Sequence, residues 1–396
     1  MSSIYVPSMP DADYERQLDR IARDPRMAPD NIQLAPTTGL WLRKLLLGLG
    51  VAGLSLTIIG AFVLGERGPT HALASYHAAV MATMAMCVGA LFVVMILNML
   101  SAGWTAGIRR QFENVMSLIW LPMIGVAITL MLDTVMGGRL FDWMASDTYL
   151  AELKYPFLNV PFFWFRVVIY AAILLYLAKR FHDLSHEQDR TGNRWLTNKA
   201  RKTAAWGLPV GALTIAFAGF DWLMSVDYHF FSTMWGVYFF AGAVGSAIGL
   251  VTLILAIVRG MGRLTGVVTA EHDEDMGKLL FSFTVFWAYI AFSQYFLIWY
   301  SNIPEETAFM NLRKSWGWEW TFYLLVYGHF VVPFLFLLLR PVKRSVPLMA
   351  LGAAFLLVMH VFDMIWIIRP EVYAYDAQSE FTKAIAAGDP ESIALG

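Results

Sequence analysis

The sequence predicts an all-α membrane protein with about nine spanning helices, and three observations predict it. Of 396 residues, 58% are hydrophobic and 15% charged, where soluble domains carry roughly 45–50% and about 25%. Nine apolar runs are long enough to cross a bilayer. Basic residues gather on every second connection between those runs. A mean hydropathy of +0.55 agrees with the first observation, so the surplus apolar surface is expected to face lipid. The chain also holds 15 Trp and 16 Tyr, residues that settle at membrane interfaces where an apolar ring and a polar tip are both satisfied.

Crossing about 30 Å of hydrocarbon at 1.5 Å per residue takes roughly 20 apolar residues. Such runs extend from Leu45 to Leu64, Tyr76 to Met99, Val115 to Met136, Phe162 to Leu177, Ala204 to Met224, Thr233 to Val258, Leu279 to Tyr300, Trp320 to Leu339 and Pro347 to Ile368. The fourth is short and bounded by Arg166. Residues 1–40 are polar, with Arg16, Arg20, Arg23 and Arg26 and no apolar core or A-x-A site. The first span is therefore expected to act as an uncleaved insertion signal. The acidic stretch after Arg369 is expected to be a solvated extension.

The connections orient the chain. Arg43–Lys44, Arg109–Arg110, the stretch Lys179 to Lys202, Arg259–Arg263 and Arg340–Lys343–Arg344 fall on one side, and the remaining connections are poorer in basic residues. Excess Lys and Arg marks the cytoplasmic side, so the N-terminus is expected inside and the C-terminus outside. Gly48–Gly50–Gly53–Gly60 and Gly242–Gly245–Gly249 are expected to let helix backbones approach closely.

An ionisable group inside a span is costly and points to function by default. His77, Asp133, Arg166 and Asp221 lie on consecutive helices at similar depth near the outer face. Such a cluster could bind the two oxygens of a quinol head group, with His77 or Asp133 accepting a proton and Arg166 holding Asp133 ionised. The alternative is interfacial residues plus one structural ion pair. A second set follows. His360 and Asp363 share one face of the ninth helix. Tyr289 and Ser293 share a face of the seventh, with Gln294 beside them. Glu319, Tyr323 and Tyr327 line the eighth, with His329 deeper. These read as a proton path or a second head-group pocket, or as ordinary interhelical hydrogen bonding. A wire through the inner half would lean on hydroxyls such as Thr129, Tyr170, Ser246 and Thr284.

Cys87 is the one cysteine, so the chain offers no disulfide framework, CxxC zinc site or cysteine-ligated iron–sulfur cluster. Two b-haems would need four well-placed histidines, and only His77, His329 and His360 lie within spans, leaving a single His329–His360 pair as the alternative to no haem at all.

Two stretches carry a family resemblance. One runs Gly219-Phe-Asp-Trp-Leu-Met-Ser-Val-Asp-Tyr-His-Phe-Phe-Ser-Thr-Met-Trp-Gly-Val-Tyr-Phe-Phe-Ala-Gly242. The other runs Phe286-Trp-Ala-Tyr-Ile-Ala-Phe-Ser-Gln-Tyr-Phe-Leu-Ile-Trp-Tyr-Ser-Asn-Ile-Pro-Glu-Glu-Thr307. Both resemble the polysulfide-reductase-like membrane subunits of bacterial alternative complex III, and the chain's length resembles the smaller of the two. The resemblance implies a flanking helix with a first four-helix bundle (residues 41–225) and a second bundle (226–368), which the charge distribution sets between a cytoplasmic segment (1–40) and a periplasmic tail (369–396). It implies an inner-membrane complex that oxidises quinol (menaquinol or ubiquinol) and passes electrons to a periplasmic acceptor. The implied partners are a homologous larger membrane subunit, an iron–sulfur subunit and c-type haem subunits. No nucleic acid is expected.

Read from the residues alone, Asp221 and Asp227 bracket a helix end, with His229 and Ser232–Thr233 opening the next helix. Glu305–Glu306 would face outside, either as solvated loop acids or as a docking or proton-receiving point. Three functions compete: a quinol-oxidising subunit, a proton-conducting or scaffolding subunit, and a secondary transporter. Transporters place a charged site at the midplane between broken helices, and here the ionisable groups sit outward of it.

Overall fold

The computed structural model describes residues 10–35, 37–315 and 317–387, which are helical with no strand among them. Nine segments of the described residues are long and apolar enough to span a membrane. They are α1 (Leu40–Val63), α2 (Gly68–Met99), α3 (Arg109–Val135), α4 (Val160–Thr191), α5 (Trp195–Val226), α6 (Trp235–Gly260), α7 (Ala270–Ser301), α8 (Glu319–Leu338) and α9 (Val346–Tyr373). Nine crossings put the start of α1 on one face, called the N face below, and the end of α9 on the opposite face.

Several helices run past their apolar runs: α2, α5 and α7 begin eight or nine residues earlier than expected, and α4 and α9 run on at their C-terminal ends. The fourth apolar run ends at Leu177, yet α4 continues to Thr191. Its added turns are rich in Lys, Arg, Glu and Gln, which sustain a helix in water. The Asn159 side chain caps its start, accepting from the Phe162 N–H at 2.9 Å, and Gly192 ends it at φ 64°. The helix of α9 does not stop near Arg369 but runs on to Ala387. Residues 388–396 of the expected tail lie outside the described residues. Pro370 falls within that helix and has no N–H to offer the Trp366 carbonyl one turn back. Arg313 takes up the slack: its Nε donates to the Trp366 carbonyl at 3.1 Å and its Nη2 to that of Ile367 at 2.6 Å. In α8, residues Leu325–Val331 form a π-turn just before Pro333, a widening that accommodates another missing N–H.

The two expected bundles meet along α2 and α6. A Cβ on Gly89 would come 1.9 Å from the Ala243 carbonyl oxygen, so glycine is required there for the backbones to touch. Gly242, Gly245 and Gly249 face the side chains of His360, Phe283 and Leu357 at ordinary contact distance, without the close backbone approach expected of that stripe. The α1 stripe behaves otherwise. No residue of α1 is buried, and Gly48, Gly50, Gly53 and Gly60 have open space around them. On the N face, the segment before α1 reaches both halves of the bundle. Tyr14 donates to the Gly192 carbonyl at 2.7 Å, and the Asn31 side chain pairs with both backbone groups of Thr265.

Candidate functional site

The first polar cluster closes the opposite face of the bundle. Arg166 on α4 grips Asp221 on α5 with two parallel bonds, Nε at 2.7 Å and Nη2 at 2.8 Å. The third guanidinium nitrogen donates to the Phe157 carbonyl at 2.7 Å, and Tyr170 donates to Asp221 at 2.8 Å. This two-pronged fit is the strongest geometry open to an arginine and a carboxylate. The expected partner was Asp133, and the structure assigns Arg166 to Asp221 instead. Asp133 is spent on backbone amides: Leu140 and Phe141 donate to its two oxygens at 2.8 and 3.1 Å, folding the loop after α3. His77 Nε2 lies 2.7 Å from the Trp222 carbonyl in the last turn of α5. That carbonyl can only accept, so Nε2 carries a proton and donates it. His77, Asp133 and Asp221 are buried to the last atom.

The second half holds a cavity of about 460 Å³ between α6, α7, α8 and α9. Ligand pockets run roughly 300–1,000 Å³. Its wall is almost entirely carbon, with Trp235, Tyr238, Trp287, Tyr295, Phe322 and Trp366 among the lining side chains. Tyr289, Phe292 and Val326 belong both to this wall and to the exposed surface, so the cavity opens sideways between α7 and α8. Its polar feature is indirect. Tyr238 and Trp287 line it, and both hydrogen-bond the buried carboxylate of Asp363, the indole Nε1 at 3.1 Å. Gln294 also lines it; its Oε1 accepts from Ser232 at 2.8 Å, which leaves the amide N–H₂ outside that bond.

Behind Trp287 lies a chamber of about 20 Å³ bordered by Gly242, Ser246, Thr284, His329 and His360. One water needs roughly 10–15 Å³ measured this way. His329 stacks on Trp287 at 3.9 Å between ring centroids. Its Nδ1 and both ring nitrogens of His360 lack a hydrogen-bond partner of ordinary geometry among the described residues, although the Ala82 backbone lies near His360. The structure therefore gathers His329, His360 and Asp363 around Trp287. It does not bring the rest of the expected path to them. Tyr289 is 65% exposed and Tyr323 51%. Ser293 and Glu319 are half-buried. Among the described residues, no hydrogen bond joins any of these four to Asp363 or to the histidines.

On the loops of the opposite face, Asp227 and His229 form a pair, Oδ1 to Nδ1 at 3.5 Å. The bond to Asp227 raises the His229 pKa above its ordinary 6.5. Burial works against ionisation of Asp227, but His229 and the charge of Arg313 outweigh it and hold the carboxyl below its ordinary value. Burial pushes Asp142 nearby upward. Arg313 is fully buried and also pairs with Glu371 at 2.8 Å.

Arg313, Tyr238 and Trp287 escape a sequence search for intramembrane charge. Tyr and Trp read as interfacial anchors, and Arg313 sits between spans. The one available signal is that Tyr238 and Trp287 lie within the two resemblance stretches and Arg313 shortly after the second. Compared with models of known protein families and with characterised proteins, the chain matches none.

Proposed function

We propose that this chain is a membrane subunit of a quinol-oxidising electron-transfer complex, and that the cavity between α7 and α8 receives the quinol ring. The observation carrying this reading is the link from cavity wall to buried carboxylate: Tyr238 and Trp287 line the cavity and both bind Asp363. A quinol reaches its site from the bilayer, and the cavity opens toward the bilayer. Flat aromatic walls suit a flat ring. Oxidation releases two protons and two electrons. Asp363, relayed through the Tyr238 hydroxyl, is the group suited to accept a proton. The sequence carries no metal-site signature, so electrons would pass to redox partners of the kinds the resemblance implies: an iron–sulfur subunit and c-type haem subunits beside a larger sister subunit. The N face is then cytoplasmic, in a bacterial inner membrane.

The test is Asp363→Asn in the intact complex. Quinol oxidation should fall at least tenfold while the complex stays assembled. Wild-type turnover with this variant would remove the reading. A proton-conducting role without quinol turnover is the second reading, favoured by the unpartnered histidines of the chamber. It predicts unchanged quinol oxidation and altered proton release in the same variant.

A further inference from the structure

The connection between α8 and α9 carries Arg340, Lys343 and Arg344. Opposite them, near the start of α7, Glu274 meets Arg344 Nη1 at 2.6 Å and Arg340 Nε at 3.3 Å. Lys278 lies 3.3 Å from Glu274 and 3.0 Å from Asp275. Lys343 makes no ion pair among the described residues. Its stem lies along Gly277, where a Cβ would come 2.7 Å from Lys343 Cγ, and its ammonium sits 5.6 Å from the centroid of the Phe281 ring. Three cations here share two carboxylates and Lys343 stands beside them outside those pairs, an excess of two positive charges. Counting Glu271, one turn further out on α7, the excess is still one.

Burial is divided unequally within this group. The Glu274 side chain is 12% exposed and that of Arg340 70%. The carboxylate therefore works as an anchor that holds the cations side by side while their outer N–H groups face water. Beside them the last turns of α8 expose Leu335 and Leu338, and Leu339 follows directly, also exposed. Surplus guanidinium and ammonium groups at the end of a span, next to bare leucines, form a two-part surface. The first part suits a phosphodiester, and the second suits acyl chains. We propose that this surface binds an anionic phospholipid of the phosphatidylglycerol or cardiolipin type. A free phosphate would engage the cations alone and make no use of the leucines.

The test uses the full-length protein in dodecyl maltoside, with bound lipid counted by native mass spectrometry. Phosphatidylglycerol, phosphatidylcholine and inorganic phosphate are each titrated. The wild type should hold phosphatidylglycerol at least tenfold more tightly than phosphatidylcholine. Lys343→Gln leaves every Glu274 pair intact and should weaken phosphatidylglycerol binding about fivefold, the effect of one cation near a membrane surface. Adding Arg340→Gln should weaken it by roughly a further fivefold. Lys202→Gln, near the N-face end of α5, should change nothing. Equal phosphatidylglycerol binding in the wild type and both variants overturns the proposal. So does displacement of the lipid by millimolar inorganic phosphate, which would mark a plain anion site.

Discussion

In the first half of the bundle the buried charges sit in closed packing; around Trp287 in the second half a buried carboxylate backs onto a cavity. Arg166, Asp221 and Asp133 each meet their full complement of partners, and what they hold are loops and helix ends. Around Trp287, by contrast, a carboxylate stands behind a cavity wall and two histidines border a small chamber. Both regions are rich in polar groups at membrane depth, and only one of them has space beside those groups. The lesson is that intramembrane charge marks a candidate site only together with room for a ligand. A satisfied network without room is architecture.

The comparison breaks most readily at the Arg166–Asp221 pair. Arg166→Ala leaves a carboxylate buried without its cation, and breaking such a pair costs about 3–5 kcal/mol. Thermal denaturation should show a loss of this size. The joint replacement Arg166→Met with Asp221→Leu should recover most of it, since a well-packed apolar pair often substitutes for a buried bridge. If Arg166→Ala were neutral to stability, the first region would not be the architectural one.

A smaller effect on stability is expected at Trp287→Phe. The ring is kept and one hydrogen bond to Asp363 is lost, at about 0.5–1.5 kcal/mol. Quinol oxidation should fall by more than this stability change explains, because the carboxylate loses a link to the cavity wall. Equal losses in stability and turnover would return Trp287 to a purely structural role.

The smallest effect lies on the loops outside both regions. His229 has a raised pKa, so its contribution is complete below the ordinary 6.5 and is lost as pH rises through the folded value. Asp227 is held low, so its share is present above the ordinary carboxylate value and lost on acidification. Between those limits both contribute. Raising the pH from about 6 to about 9 should lower stability by less than ~1 kcal/mol, because the His229 ring is 59% exposed and screened. Melting curves of the wild type and His229→Gln should converge at the upper pH.

Much of the architecture was legible in the sequence. All nine spans coincide with apolar runs, since hydrocarbon thickness leaves little freedom in their length. The end of α4 was not legible, because its last turns are polar and helical in water, and hydropathy sees only the part in lipid. Depth along the helices suggested a cluster of His77, Asp133, Arg166 and Asp221, of which the structure joins Arg166 to Asp221 and leaves Asp133 on backbone amides. Azimuth was not legible. Whether Arg166 turns toward α3 or α5 depends on how the helices rotate against one another, which no single run of residues records. The cavity was hidden for a different reason. Its wall is aromatic carbon, and Trp287 looks in sequence like many other membrane tryptophans. Nor was the continuation of α9 through Pro370 legible, since the arginine that takes up the freed carbonyl lies 57 positions earlier, a distance only the folded chain closes.

The most direct measurement is photolabelling of the intact complex with an azidoquinone, followed by peptide mapping, on the wild type and on Ala288→Trp, which fills the cavity from α7. Labelling should fall within residues 285–331, on α7 and α8, and should disappear in Ala288→Trp. Labelling confined to α2–α5 around His77 and Asp133, and unaffected by Ala288→Trp, would contradict the account.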